Sequence, residues 1–206
     1  MKKIISLILI ISAFSFSAFA AKTLTGAEIL QKSASVLLKS GGLKASYTLK
    51  SGRFTEKGTI CVKGKQFTLR SSERSIWYDG TSLWTLNPSE KEVSLTAPTV
   101  AEVAAINPYL LVSGYKSEYT ARVVKGTVKG TYNVKLTPKN RQNWVKSATL
   151  CIRSSNYMPV RVDITDRNGG KSIVIISNVK TGVSFPGSTF KYNSKAYPGV
   201  KLIDLR

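Results

Sequence analysis

The chain has 206 residues, 31 Lys and Arg against 11 Asp and Glu, a formal charge of +20, and no histidine. Without an imidazole there is no Ser-His-Asp or Cys-His centre, and the commonest metal ligand is missing. The few carboxylates, including the near pairs Glu90/Glu92 and Asp163/Asp166, read as solvated surface groups, and no phosphate-cradling glycine pattern occurs, so no enzyme, metal site or cofactor is expected.

The first twenty residues read as a secretion signal. Lys2 and Lys3 precede the apolar run IISLILIISAFSF, and Ala18-Phe19-Ala20 has the form of a cleavage site. The run is short and broken by serines, which argues against a membrane anchor. The mature chain is expected to start at Ala21, without the cysteine a lipid anchor would need there. Lys2 and Lys3 are the only charges of this leader, so the +20 becomes +18 beyond it. Such a surplus attracts anionic partners. Export and the scatter of the lysines argue against nucleic acid, and a soluble bacterial envelope protein in the periplasm is expected.

Thr25-Gly26-Ala27-Glu28 forms a capping box ahead of Leu30, Ala34, Leu37 and Leu38, which predicts a helix over 26–40 ending at Gly41-Gly42. From Leu43 the apolar period changes to two. Ala45-Tyr47-Leu49, Ile60-Val62, Phe67-Leu69, Ile76-Tyr78 and Val93-Leu95 alternate with polar residues, as do Tyr119-Ala121-Val123, Tyr132-Val134-Leu136, Ala148-Leu150-Ile152 and Val160-Val162-Ile164. With turn residues between them, these predict a mainly β protein of about eleven short antiparallel strands, curved into a large sheet or barrel.

The segment from Pro98 to Ser117 interrupts the strands. Thr99-Val100-Ala101-Glu102 is a second capping box, and Asn107-Pro108 offers a cap and first position for a third short helix, so helical structure is expected over 99–115. An insert this apolar must cover something, and with the first helix it can close the mouth of a curved sheet. Asp79-Gly80 predicts a hairpin flanked by Trp77, Tyr78, Leu83, Trp84 and Leu86. Aromatics on both parities fit a pair buried on both sides or the wall of an apolar cavity. The only thiols, Cys61 and Cys151, sit on the polar parity of their strands and could form a disulfide if their Cα atoms come within about 7 Å.

The motif Asp79-Gly80-x-x-Leu83-Trp84-x-x-Asn87-Pro88, the apolar insert with Asn107-Pro108, the stretch Leu136-Thr137-Pro138-Lys139 and the closing YPGVKLIDL resemble, in that order, the LolA family of periplasmic carriers of outer-membrane lipoproteins. The resemblance spans residues 21–206 as one domain and implies an unclosed antiparallel β-barrel under a three-helix lid. It also implies the partners: triacylated lipoprotein cargo, an inner-membrane lipoprotein-releasing ABC transporter and an outer-membrane acceptor, served by a monomer. The expected acyl cavity is walled by Tyr47, Leu49, Ile60, Val62, Phe67, Leu69, Ile76, Leu83, Trp84, Val134 and Leu150. Its lid carries Leu30, Leu37, Val100, Val103, Ile106, Leu110 and Leu111. One departure stands out: where the family has an arginine that latches the lid, Val62-Lys63 is followed by Gly64, which leaves Arg70 or Arg53 as candidate latches. Two other functions fit these residues, a sensor module of the same fold that binds a lipidated ligand, and a basic binder of anionic lipid or glycan.

Overall fold

The computed structural model describes residues 23–99, 102–103, 106–126 and 128–206, apart from the side chains of Pro108, Leu110 and Ser113. The leader over 1–20, the cut before Ala21 and the lid residue Val100 lie outside the described residues.

Helix α1 (Gly26–Lys39) begins as its capping box predicts. The Thr25 N–H donates to Glu28 Oε2 at 2.8 Å, and the Glu28 N–H donates to Thr25 Oγ1 at 3.2 Å, so two of the four orphan amides of the first turn are satisfied. Gly41 follows with φ +71, a conformation that glycine adopts without steric cost. Ile29, Leu30 and Ser33 form the buried face. Leu38 is 73% exposed, because it lies about 80° around the helix from Leu30.

Strands β1 (Leu43–Ser51), β2 (Phe54–Lys63), β3 (Gln66–Ser71), β4 (Ser75–Tyr78), β5 (Leu83–Asn87) and β6 (Glu92–Thr96) form a meander. Helix α2 (Pro108–Glu118) leads into β7 (Tyr119–Val124), β8 (Thr131–Pro138), β9 (Val145–Arg153), β10 (Pro159–Asp166) and β11 (Lys171–Thr181), and β12 (Lys201–Asp204) ends the fold. All belong to one sheet in the order β12-β6-β5-β4-β3-β2-β1-β11-β10-β9-β8-β7. The expected unclosed barrel is present, with twelve strands in place of about eleven. The edge strand β12 pairs with β6 in parallel, so the sheet is antiparallel everywhere else. Where β1 meets β11 the register slips between Lys44 and Ser46, opposite Asn178 at φ 51. This is a bulge, which adds local twist and helps curve the sheet.

Among the described residues there are two α-helices, not three. Thr99 and Glu102 do make their capping box, at 2.7 and 3.3 Å, and one turn passes through Glu102, Val103 and Ile106. Pro108 then holds Asn107 extended, at φ −116 and ψ 103, and restarts the chain as α2. The Asn107 side chain caps that helix by accepting from the Tyr109 N–H at 3.0 Å.

Helices α1 and α2 pack against each other and against β7. Beneath them Leu30, Leu111, Val134, Leu136, Leu150 and Val162 form one core cluster. A second gathers Ile60, Phe67, Leu69, Ile76, Leu83, Val103 and Tyr109 over β1–β5. A third lies on the opposite face of β4–β6, where Trp77, Leu86 and Val93 meet Trp84, Tyr192, Tyr197 and Val200.

Candidate functional site

The two parities of β4 and β5 divide the aromatic segment. Trp77 faces Trp84 across the pair, and Tyr78 faces Leu83. Alternation sends the two pairs to opposite faces. Tyr78 and Leu83 join Phe67 and Leu69 on the concave side. Trp77 is covered on the convex side by Tyr192 and Tyr197, both edge-on with ring centroids at 5.5 Å. Trp84 therefore leaves the predicted cavity wall and belongs to this outer cluster. Arg70 leaves the list of lid latches for the same reason, since its guanidinium lies 5.4 Å from the Trp77 ring. The turn signal itself is realised: Asp79 Oδ1 accepts the N–H groups of Thr81 and Ser82 at 3.0 and 2.8 Å.

On the concave side a groove of about 270 Å³ is bounded by the sheet and the lid, near the lower end of ligand sites, roughly 300–1,000 Å³. Of the predicted wall, Tyr47, Leu49, Ile60 and Leu69 line it, together with the lid residue Ile106. Val62 and Leu37 line a separate cavity of about 40 Å³ that Gly64 also borders. Phe67, Ile76, Leu83 and Val103 are packed into the adjoining core without lining the groove. Val134, Leu150, Leu30 and Leu111 belong to the other core, under α1 and α2. Val100 and the Leu110 side chain lie outside the described residues.

Several lining residues lie outside the expected wall. Ile164, Val174 and Ile176 form the floor on β10 and β11, Tyr109 comes from α2, and Trp144 comes from the β8–β9 loop. Arg74, in the β3–β4 turn, is the arginine that reaches the groove, whereas Arg53 lies exposed in the β1–β2 turn.

Arg74 is held by an acid that read as solvated. Glu56 has a side chain only 1% exposed, and it accepts from the Tyr47 hydroxyl at 2.5 Å and pairs with Arg74 at 3.1 Å. Gly58 makes this approach available, because a Cβ there would stand 2.8–2.9 Å from the Tyr47 ring and hydroxyl. Burial alone would raise the Glu56 carboxyl, but the hydroxyls of Tyr47 and Ser71 and the charge of Arg74 together outweigh it and hold it below its ordinary value. Burial first, and the bond to Glu56 second, push the Tyr47 phenol well up. The result is one ionised, internally satisfied polar cluster on an otherwise apolar wall.

The two thiols are free. Cys61 is on β2 and Cys151 on β9, separated in the sheet by β1, β11 and β10. At about 4.8 Å per strand this is far beyond disulfide reach. Cys151 is buried and donates to Asn133 Oδ1 at 3.0 Å. No cluster of metal-ligating side chains exists among the described residues, and none of their helices is long and apolar enough to cross a membrane.

A family model described as outer membrane lipoprotein carrier protein LolA matches residues 16–169. Solved structures share the fold at low identity. An uncharacterised conserved protein from Thermus thermophilus matches at 9% identity and TM-score 0.58, covering 86% of this chain and 97% of its own. A DUF1329 family protein from Desulfovibrio piger matches at 14% identity and TM-score 0.51, with 84% and 98% covered. A domain from Vibrio parahaemolyticus proposed to sort outer-membrane lipoproteins matches at 11% identity and TM-score 0.50, with 84% and 97% covered. No curated protein sequence matches.

Proposed function

The chain belongs to the LolA family of outer membrane lipoprotein carrier proteins, and we propose that it is a periplasmic carrier that shields acyl chains of lipoproteins in the groove between sheet and lid. The observation that carries this reading is the groove itself: an apolar floor on β1, β10 and β11, capped by Ile106 and Tyr109 of the lid segment and left partly open. A packed core would fill that space.

The physics of transport asks for such a device. Burying a methylene is worth about 0.8 kcal/mol, so one long acyl chain exposed to water costs on the order of 12 kcal/mol. A lipoprotein cannot cross an aqueous compartment uncovered. A carrier must also release, which requires an adaptable wall and a lid held by few contacts. The helix caps of the lid segment, Thr99 with Glu102 and Asn107 with Tyr109, are local bonds within the segment, so they do not tie it to the sheet. No bond-making step is needed. Cargo would come from an inner-membrane releasing transporter and pass to an outer-membrane acceptor.

Mass spectrometry of the protein purified from its native periplasm tests this, followed by transfer of the bound species to acceptor vesicles. Co-eluting acylated protein that moves to the vesicles is expected. Protein that never holds an acyl chain would overturn the reading.

A further inference from the structure

Among the described residues that line the groove, one buried side-chain polar atom has no hydrogen-bond partner. Of the hydrogen-bond donors on its wall, the Tyr47 hydroxyl gives its proton to Glu56, and Ser172 donates to Ser51 Oγ at 3.0 Å. Arg74 spends its Nε and one terminal nitrogen on Glu56 at 3.4 and 3.1 Å, and Trp144 is half exposed and reaches water. Tyr109 is different. It is 3% exposed, and its hydroxyl has no hydrogen-bond partner among the described residues. A buried hydroxyl left unpaired costs about 1–3 kcal/mol, so native structures rarely keep one without a reason.

Its location supplies a reason. Tyr109 stands in the first turn of α2, fixed by the Asn107 cap, and it lines both the large groove and the small cavity beside Val62 and Gly64. Burial raises the phenol well above its ordinary value, so it is a proton donor at every working pH. We propose that the Tyr109 hydroxyl donates to the carbonyl oxygen of a bound acyl ester or amide, the polar joint between an acyl chain in the groove and the rest of its carrier molecule. This rests on the groove being an acyl site. The acyl carbonyl is the acceptor favoured by these surroundings. The walls around Tyr109 are apolar, so a fully charged head would have to be desolvated there, whereas a carbonyl brings one strong acceptor and no net charge.

The lid then senses cargo directly. An empty groove leaves the hydroxyl unsatisfied, and an acyl group satisfies it, so occupied protein gains a lid contact that the empty form lacks. A bare hydrocarbon, or a chain joined through an ether, fills the groove without completing this bond.

The test uses two probes of equal chain length, palmitoyl glycerol and hexadecyl glyceryl ether, binding to the wild-type chain and to Tyr109→Phe, which removes one oxygen and keeps the ring. The wild type should bind the ester more tightly. Tyr109→Phe should lose roughly 3- to 10-fold in ester affinity, the worth of one hydrogen bond, keep its ether affinity, and unfold at the same or a higher temperature when empty. Unchanged ester affinity would overturn the proposal and leave the groove reading standing. An equal loss for both probes would assign Tyr109 to packing, and a lower unfolding temperature of the empty variant would mean the hydroxyl already has a partner; either result overturns it. Failure of the wild type to bind either probe would instead overturn the acyl groove.

Discussion

The hydroxyl of Tyr47 reaches Glu56 at 2.5 Å by passing over Gly58, the residue opposite it in the β1–β2 register. This contact joins three features of the groove wall: a missing side chain on β2, the Tyr47 ring that lines it, and a buried carboxylate paired with Arg74.

Gly58→Ala should be disruptive for this reason. Its Cβ would stand 2.2 Å from the Arg70 carbonyl oxygen and 2.8 Å from the Tyr47 ring, and the backbone atom cannot swing away. A loss of about 1–3 kcal/mol is expected in denaturant unfolding. Gly52→Ala, in an open turn with nothing within 4 Å but at φ +57, should cost less, through backbone conformation alone.

Acid should weaken the fold through Glu56. Its carboxyl titrates below its ordinary value in the folded chain. The stability it contributes is therefore complete above the unfolded value of about 4.5 and is lost as pH falls through the lower folded value. Glu56→Gln should flatten that part of the stability–pH profile and cost about 1 kcal/mol at neutral pH. A profile identical to wild type in acid would remove Glu56 from the account.

Groove and core should respond differently to substitution. Leu150 is fully buried under the helices, so Leu150→Ala should cost about 2–5 kcal/mol of stability. Leu69 lines the groove, so Leu69→Asn should weaken acyl binding by about 1–3 kcal/mol, because its amide must lose water when the chain enters. Thermal unfolding paired with a fluorescent acyl probe separates the two. Full acyl binding by Leu69→Asn would move the site elsewhere.

The outer aromatic cluster should matter for stability and not for cargo. Tyr197→Ala uncovers one edge of Trp77, which is 2% exposed, so unfolding should come earlier by about 2–4 kcal/mol and tryptophan emission should shift to the red. Acyl affinity should stay at the wild-type level, since neither residue lines the groove.

Much of the architecture was written locally. Period-two alternation marked most strands, Thr25 and Asn107 marked the starts of the two helices, and Asp79-Gly80 marked its hairpin, because each signal is complete within a few residues of chain. The run Ile173–Ile176 in β11 is apolar at every position, so it shows no alternation, yet β11 supplies part of the groove floor. Alternation separates the two faces of a strand without saying which is concave, and so Trp84 and Arg70 were placed inside when the register sends them outside. Apolar type alone could not separate groove from packed core either: Leu69 and Leu150 look alike in sequence and differ in what stands opposite them. Nor could the sequence single out Glu56 among the acids. Its burial is set by Tyr47 nine residues before it and Arg74 eighteen after it. The orphan hydroxyl of Tyr109 depends on a helix that packs on α1, β7 and β10 and brings this side chain beside Leu43 of β1 and Val62 of β2. Strand order, face and closure are long-range facts, fixed when distant segments exclude water together, and it is there that a run of alternating residues becomes a groove.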